Sequence, residues 1–589
     1  MTRRVLWVAA IIALALSPLL LPEFYITLLN MVGISALVAL GLVLLTGIAG
    51  LTSLGQAAFV GTAAYISAYG TTALGLSPWV TLFIGVFATA VLAFALGTIT
   101  LRLSGHYLPL STVAWGAAIF FLFARIPALG GQTGLVEIPK LNIAGYSLET
   151  GRSYFYLIWM FVLVAMLAMT GLLRSRMGRA IRALRGGALM AESFGINVPR
   201  VRMAVFVYAA VLSALAGWLY VHLMRVINPT PFEVSASIEY LFMAVVGGAA
   251  SVAGAVVGAG VLTLLRSILQ DILPKLFGQS GNFDLIVYGV LIILLLQRTR
   301  KGIVGSIVGK FPALLPPPID VPASTTAPPA VRSMPPVGRL LLRVTDVEKW
   351  FGGLAAVNKV GFDIAAGEIV GLIGPNGAGK STMFNLITGA LSPTRGAVEV
   401  EGKRVDGLSP RRIVQLGVAR TFQHVRLLPN MSVIENVMIG AHLRGHKGML
   451  LGSLRLDREE EGRLAAEAAR QLRRVGLESD MHRRAGSLAL GKQRLLEVAR
   501  ALCAGPVLLL LDEPAAGLRF GEKQELASLL KGLRREGLTI LLVEHDMGFL
   551  MNLADRFVVM EFGRKLVEGP PAEVQADPRV LEAYLGGVE

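Results

Sequence analysis

Ile369-Val-Gly-Leu-Ile-Gly-Pro-Asn-Gly-Ala-Gly-Lys-Ser-Thr382 decides the fold of the carboxy-terminal half. A short apolar run of strand character leads into Gly374, Pro375, Asn376, Gly377, Ala378, Gly379, Lys380 and Ser381, which fit G-x-x-x-x-G-K-[ST]; a helical stretch follows from Thr382. Strand, loop and helix in that order are the context this motif needs. The glycines let backbone N–H groups approach phosphate oxygens, and the helix N-terminus adds partial positive charge. Lys380 is placed to reach the β- and γ-phosphates, and Ser381 to ligate Mg²⁺. The stretch predicts nucleotide binding by an α/β domain.

Two more apolar runs downstream, 507–512 and 538–545, read as buried parallel strands. The first ends in Asp512-Glu513. After a phosphate loop, that pair is suited to hold Mg²⁺ (Asp512) and to polarise an attacking water (Glu513). His545 closes the second run, where it could contact the γ-phosphate and fix the water. The alternation of strands and helices makes 339–589 an α/β domain.

Upstream the composition changes. Residues 311–338 are rich in Pro, Ala, Ser and Thr without apolar periodicity and read as an extended tether. Residues 1–310 carry 20 Lys/Arg against 8 Asp/Glu, whereas 311–589 carry 35 against 31. The chain as a whole is 54% hydrophobic and 16% charged, which excludes an ordinary soluble enzyme and a disordered chain. Its pI near 10.1 could suggest a nucleic-acid binder, but the excess positive charge flanks apolar runs, as in a membrane protein.

The runs 5–21, 24–46, 52–73, 78–101, 106–125, 154–173, 203–224, 238–270 and 283–297 approach or reach membrane-spanning length. Placing the clusters Arg174–Arg185 and Arg298–Lys310 on the cytoplasmic side requires 238–270 to split at Gly247-Gly248, giving about ten spans. The first run is taken as an uncleaved span rather than a signal peptide. Glycines and alanines such as Gly61, Ala63, Gly254, Gly258 and Gly260 read as close helix packing. Gln56, Thr112, His222 and Glu239 stand out as polar residues within the spans. The one cysteine, Cys503, precludes an intrachain disulfide and reads as a small buried residue. Segment 178–200, apolar among charges, is either a loop on the membrane surface or a helix that docks on the attached motor.

Over 339–589 the chain resembles an ABC-transporter ATPase. Phe351 stands where that family stacks an aromatic on adenine, and Gln423, in Arg420-Thr-Phe-Gln, where it senses Mg²⁺ and the membrane partner. Ser487-Leu-Ala-Leu-Gly-Lys-Gln-Arg494 matches the signature segment, so the resemblance implies that Leu488, Ala489, Gly491 and Lys492 cap ATP on the opposite subunit. Two departures appear: Ala489 offers no hydroxyl, and Arg519 stands where the loop after the catalytic acid usually ends in Asp. They put hydrolysis at two equivalent sites in question.

Arg420-Thr-Phe-Gln-His-Val-Arg-Leu-Leu-Pro429 and Val543-Glu-His-Asp-Met547 resemble an ATPase of branched-chain amino-acid importers. Gly55-Gln-Ala-Ala-Phe59, Gly105-His-Tyr107, Gly130-Gly-Gln-Thr-Gly134 and Gly195-Ile-Asn-Val198 resemble a permease of the same systems. The chain thus looks like a permease (1–310) and an ATPase (339–589) fused through 311–338. The resemblance implies a coupling role for Glu192 and Gly195, a second permease and ATPase or a second copy of the chain, an extracytoplasmic solute-binding protein, and a place in the bacterial cytoplasmic membrane. Urea, short amides or aromatic acids are alternative solutes. An ATP-gated channel, a membrane-bound regulator and an exporter are rival functions.

Overall fold

The computed structural model describes residues 2–103, 105–143, 145–277, 283–299, 301–311 and 332–585. Arg300 of the expected cytoplasmic cluster and most of the expected tether lie outside the described residues. The chain forms two compact units: Met1–Leu173 with Pro199–Pro317, and Arg174–Val198 with Pro318–Glu589.

The first unit is helical. Its helices are α1 (Thr2–Leu20), α2 (Glu23–Leu42), α3 (Gln56–Thr72), α4 (Pro78–Thr100), α5 (Tyr107–Arg125) and α6 (Gly151–Leu173). Helices α7 (Arg176–Ala183) and α8 (Ala188–Ser193) lie between α6 and α9 (Val198–Met224), and α10 (Val234–Gly248), α11 (Val252–Phe277), α12 (Phe283–Arg298) and α13 (Gly302–Lys310) follow. Among the described residues, 6 helices are long and apolar enough to cross a membrane, and Val8–Leu20 and Val234–Gly248 are shorter apolar helices. The predicted split near Gly247-Gly248 appears as the gap between α10 and α11.

Small residues there serve close approach. A Cβ at Gly258 would lie 1.9 Å from the Met243 carbonyl oxygen, and one at Gly247 would lie 1.7 Å from that of Gly254. Glu239 on α10 pairs with Arg266 on α11 at 2.5 Å and accepts from the Tyr288 hydroxyl, so this acid is neutralised within the bundle. The other polar residues are satisfied as well. Ser213 donates to Gln56 Oε1 (2.9 Å), Thr112 accepts from the Leu54 N–H (2.9 Å), and His222 Nε2 meets Ser67 Oγ at 2.9 Å. The chain between Ile48 and Gln56 leaves helical geometry, and the Thr112 hydroxyl bonds its Leu54 N–H, as non-helical chain buried in protein requires, while the Ser237 hydroxyl accepts from the Ala57 N–H in the first turn of α3.

The second unit is built on two sheets. The antiparallel sheet has the order β4-β3-β6-β7, from Leu340–Phe351 (β3), Leu354–Ala365 (β4), Arg395–Val400 (β6) and Lys403–Arg404 (β7). (Strands β1, Asn142–Ile143, and β2, Tyr146–Ser147, form a hairpin in the first unit.) The larger sheet has the order β12-β11-β5-β10-β9-β8. Its strands are Ile369–Ile373 (β5), Val418–Arg420 (β8), Leu508–Asp512 (β9), Thr539–Val543 (β10), Arg556–Glu561 (β11) and Arg564–Gly569 (β12). All its pairings are parallel except β11 with β12.

Every residue of β5, β9 and β10 is buried, which is why these strands read as unbroken apolar runs: a parallel sheet is covered on both faces. The predicted strands fall within a residue or two of these. Helices α14 (Lys380–Ile387), α15 (Pro410–Gln415), α16 (Val433–Gly440), α17 (Met449–Ser453), α18 (Arg458–Arg474), α19 (Leu490–Cys503), α20 (Phe520–Arg535), α21 (Met547–Met551), α22 (Pro571–Ala576) and α23 (Pro578–Leu585) complete the unit. Cys503 is buried in the apolar cluster that joins α16, α18 and α19.

Candidate active site

Parallel register brings the chemistry to one edge. Val543, the last residue of β10, pairs with Leu372 of β5 on one side and with Asp512 of β9 on the other. The phosphate loop, the acid pair and His545 therefore all leave the carboxyl ends of adjacent strands, where open α/β sheets bind ligands.

Three residues chosen from sequence meet at one atom. Gln423 Nε2 donates to Glu513 Oε1 at 3.1 Å, and His545 Nε2 lies 3.1 Å from the same oxygen. Glu513 takes a left-handed φ of 49° while its N–H bonds the Val543 carbonyl, so the strand end turns sharply and the carboxylate stands clear of the sheet. Asp512 stays inside. It is 4% exposed, its Oδ1 has no partner among the described residues, and burial pushes its carboxyl up while Arg420, 3.8 Å away, opposes.

In the phosphate loop, Gly374, Gly377 and Gly379 all have positive φ. At Gly374 the space demands glycine too, since a Cβ would lie 2.0 Å from the Met560 carbonyl oxygen. Lys380 folds back over the loop, donating to the carbonyls of Gly374 (2.7 Å) and Pro375 (2.8 Å). Burial pulls its ammonium pKa down, against Glu513 and Asp512. Ser381 is exposed at the start of α14, with Thr382 half-buried beside it. Replacing Lys380 by Ala is expected to weaken nucleotide binding by about ten- to a hundredfold, the worth of one charge-assisted hydrogen bond. Titration at fixed Mg²⁺ measures this, and an unchanged affinity removes Lys380 from the site.

The remaining residues lie apart from this centre. Phe351 is 47% exposed at the end of β3, with the Lys349 ammonium 5.4 Å from its ring centre. Leu488, Ala489, Gly491 and Lys492 open α19, and among the described residues no hydrogen bond or ion pair joins them to 374–382. Lys492 is engaged with Asp480 at 2.7 Å, and Gly491 packs against the Glu522 carboxylate.

The segment expected to couple the halves belongs by its contacts to the second unit. Ser175 caps α7, accepting from the Gly178 N–H. Three arginines at helical spacing then meet acids: Arg176 with Glu460 (3.7 Å), Arg179 with Glu461 (2.6 Å and 3.1 Å), and Arg182 with Glu435 (3.0 Å). The Arg500 guanidinium stacks on Phe194, and Arg411 donates to the Gly195 carbonyl. Gly195 has φ 83°, and a Cβ there would lie 2.3 Å from Leu443. Glu192, on α8, is half-buried. His442, beneath this segment, is pushed down to about 3 by burial and by Arg176, Arg179 and Arg411, so it is neutral at physiological pH.

Sequence reading missed four residues that order the site. Arg420 joins Asn385 and Thr388 of the α14 region to Asp512, and Arg494 donates to the Phe422 and Gln423 carbonyls. Glu544 accepts from the Ala515 N–H at 2.5 Å, which holds the turn after Glu513. Tyr584, on α23, accepts from the Gly374 N–H at 2.8 Å. Arg420, Arg494 and Glu544 stand inside segments quoted above, but those segments gave them no role of their own, and for Tyr584 the partner lies 210 positions away in sequence. Tyr584→Phe is expected to lower nucleotide affinity by about two- to tenfold, the value of one neutral hydrogen bond. Equilibrium titration against wild type checks this.

Three family descriptions match the chain: the permease component of a branched-chain amino acid transport system over 24–296, ABC transporter over 357–516, and branched-chain amino acid ATP-binding cassette transporter over 564–589. The high-affinity branched-chain amino acid transport ATP-binding protein LivG of Salmonella typhimurium is 44% identical over 249 residues, covering 42% of this chain and 98% of LivG. This chain belongs to the branched-chain amino-acid ABC transporter family. LivG of Escherichia coli K12 is likewise 44% identical, and BraF of Pseudomonas aeruginosa is 41% identical over 253 residues, covering 42% of this chain and 99% of BraF. As a member of that family, the chain carries a membrane permease and an ABC ATPase that binds ATP and is coupled to transport.

Proposed function

We propose that this chain imports branched-chain or other hydrophobic amino acids across the bacterial cytoplasmic membrane, driven by ATP hydrolysis at Glu513. The observation that carries the reading is the membership of 174–198: chain that joins two membrane helices is bound, arginine by arginine, to the unit that holds the phosphate loop. Movement of that unit therefore pulls directly on α6 and α9.

In this reading residues 1–310 are the permease, 311–338 the tether and 339–589 the ATPase. Glu513 accepts the proton of the attacking water, with His545 and Gln423 fixing its geometry. The unpartnered Asp512 oxygen, the exposed Ser381 hydroxyl and Gln423 suit Mg²⁺, which supplies charge stabilisation at the phosphates when bound. Phe351 stacks on adenine. The α19 N-terminus serves the partner's nucleotide, which agrees with its separation from this chain's own loop. Glu192 and Gly195 transmit closure. A second permease and ATPase, or a second copy of this chain, completes the transporter, and an extracytoplasmic binding protein delivers solute.

The test is uptake by proteoliposomes that contain the assembled complex, binding protein and ATP. Leucine, isoleucine or valine is expected to accumulate and to stimulate hydrolysis. Full-speed hydrolysis with no accumulation of these or of urea, amides or aromatic acids overturns the reading.

A further inference from the structure

Residues 445–457, Gly-His-Lys-Gly-Met-Leu-Leu-Gly-Ser-Leu-Arg-Leu-Asp, make an excursion from the ATPase unit that contains α17. The polar groups at its base are engaged. The Glu460 carboxylate accepts from the backbone N–H groups of His446 (2.8 Å) and Lys447 (3.1 Å). Arg176 donates to the Lys447 carbonyl (2.8 Å), and the Lys447 ammonium donates to the Leu456 carbonyl (3.1 Å). The amino-terminal end of the excursion is thereby fastened to α7 and α18, and Lys447 ties the two ends to each other. Its apolar groups are not covered: Leu450 is 73% exposed, Leu454 58% and Leu456 59%. Leucines so exposed within one short stretch form the kind of patch that marks an interaction surface.

The covalent chain limits how far that surface lies from the end of α6. A Cβ at Gly452 would lie 2.7 Å from the Ser175 hydroxyl, so the excursion rests on Ser175. Ser175 is two positions past Leu173, the last residue of α6, which is apolar and long enough to span a bilayer. Two residues reach about 7 Å at most. The leucines are therefore tethered close to where the chain leaves the membrane, whatever the rest of the molecule does. Lys447 and Arg455 stand among them, the residue types that favour anionic headgroups beside buried apolar side chains.

We propose that 449–456 is a lipid contact of the ATPase unit, with Leu450, Leu454 and Leu456 entering the headgroup–acyl boundary of the cytoplasmic leaflet and Lys447 and Arg455 at the headgroups. It serves as a lateral support for the joint that α7 makes with the ATPase. The assignment depends on α6 spanning the bilayer and is independent of the solute carried.

The sole cysteine, Cys503, is buried, so an introduced cysteine can be labelled selectively. Leu450→Cys and Leu454→Cys, each labelled with bimane, are placed in the full-length assembled complex in nanodiscs containing phosphatidylglycerol, with Glu525→Cys on α20 as the control. Brominated acyl chains are expected to quench the labels at 450 and 454 by about twofold or more, as a depth of 5–10 Å implies. Aqueous iodide is expected to quench only the control. Iodide quenching at 450 and 454 equal to the control means water contact and overturns the proposal. Protection from both quenchers means that a protein subunit covers the patch, and overturns it equally. Leu456→Cys provides a third position if one labelled variant does not assemble.

Discussion

Glu513→Gln is expected to leave ATP binding intact and to lower hydrolysis by about 10²–10⁴-fold, the range of a lost general base. The geometry makes the effect specific. Glutamine has the same shape and can still meet Gln423 and His545, each now 3.1 Å from Oε1, and can take the same left-handed backbone turn. What it loses is the ability to accept a proton from water. Lys380 and the loop backbone are untouched, so affinity should hold while turnover disappears. Steady-state hydrolysis by the assembled complex, paired with equilibrium nucleotide titration, separates the two. Undiminished hydrolysis removes Glu513 from its assigned role. A fall in affinity matching the fall in rate points instead to a loop disturbed by the substitution.

Arg179→Ala is expected to cut solute uptake by more than about tenfold and to abolish stimulation of hydrolysis by solute. Arg179 is 1% exposed and grips Glu461 through two guanidinium nitrogens. Removing one partner of a buried pair costs about 3–5 kcal/mol, because the other charge is left without compensation. The flanking pairs Arg176–Glu460 and Arg182–Glu435 are retained, so the unit still folds while its hold on α7 weakens. Exchanging the charges, Arg179→Glu with Glu461→Arg, should restore part of the uptake. Uptake in vesicles at matched protein content is the measurement. Wild-type transport by the single variant would show that α7 carries no force.

The catalytic centre was legible because its residues sit at strand ends inside motifs. An apolar run followed by G-x-x-x-x-G-K-[ST], and another ending in Asp512-Glu513, specify both the strand and the side chain that leaves it. The coupling segment was legible only in outline. Its mix of apolar and basic residues suggested docking, and a resemblance pointed to Glu192 and Gly195. The acids that receive its arginines lie more than 250 positions away and carry no local mark. Tyr584 is the extreme case, a tyrosine near the end of the chain whose hydroxyl serves the first glycine of the phosphate loop.

By itself the sequence determined that an apolar, positively flanked half is joined to a phosphate-binding α/β half, since hydropathy, charge and loop chemistry are local properties. Only the tertiary structure decided which half owns residues 174–198, which atom Gln423 and His545 share, and which leucines stay uncovered. Those depend on strand register and on ion pairs between distant segments, and a linear chain encodes such pairings only through the complete pattern of its packing.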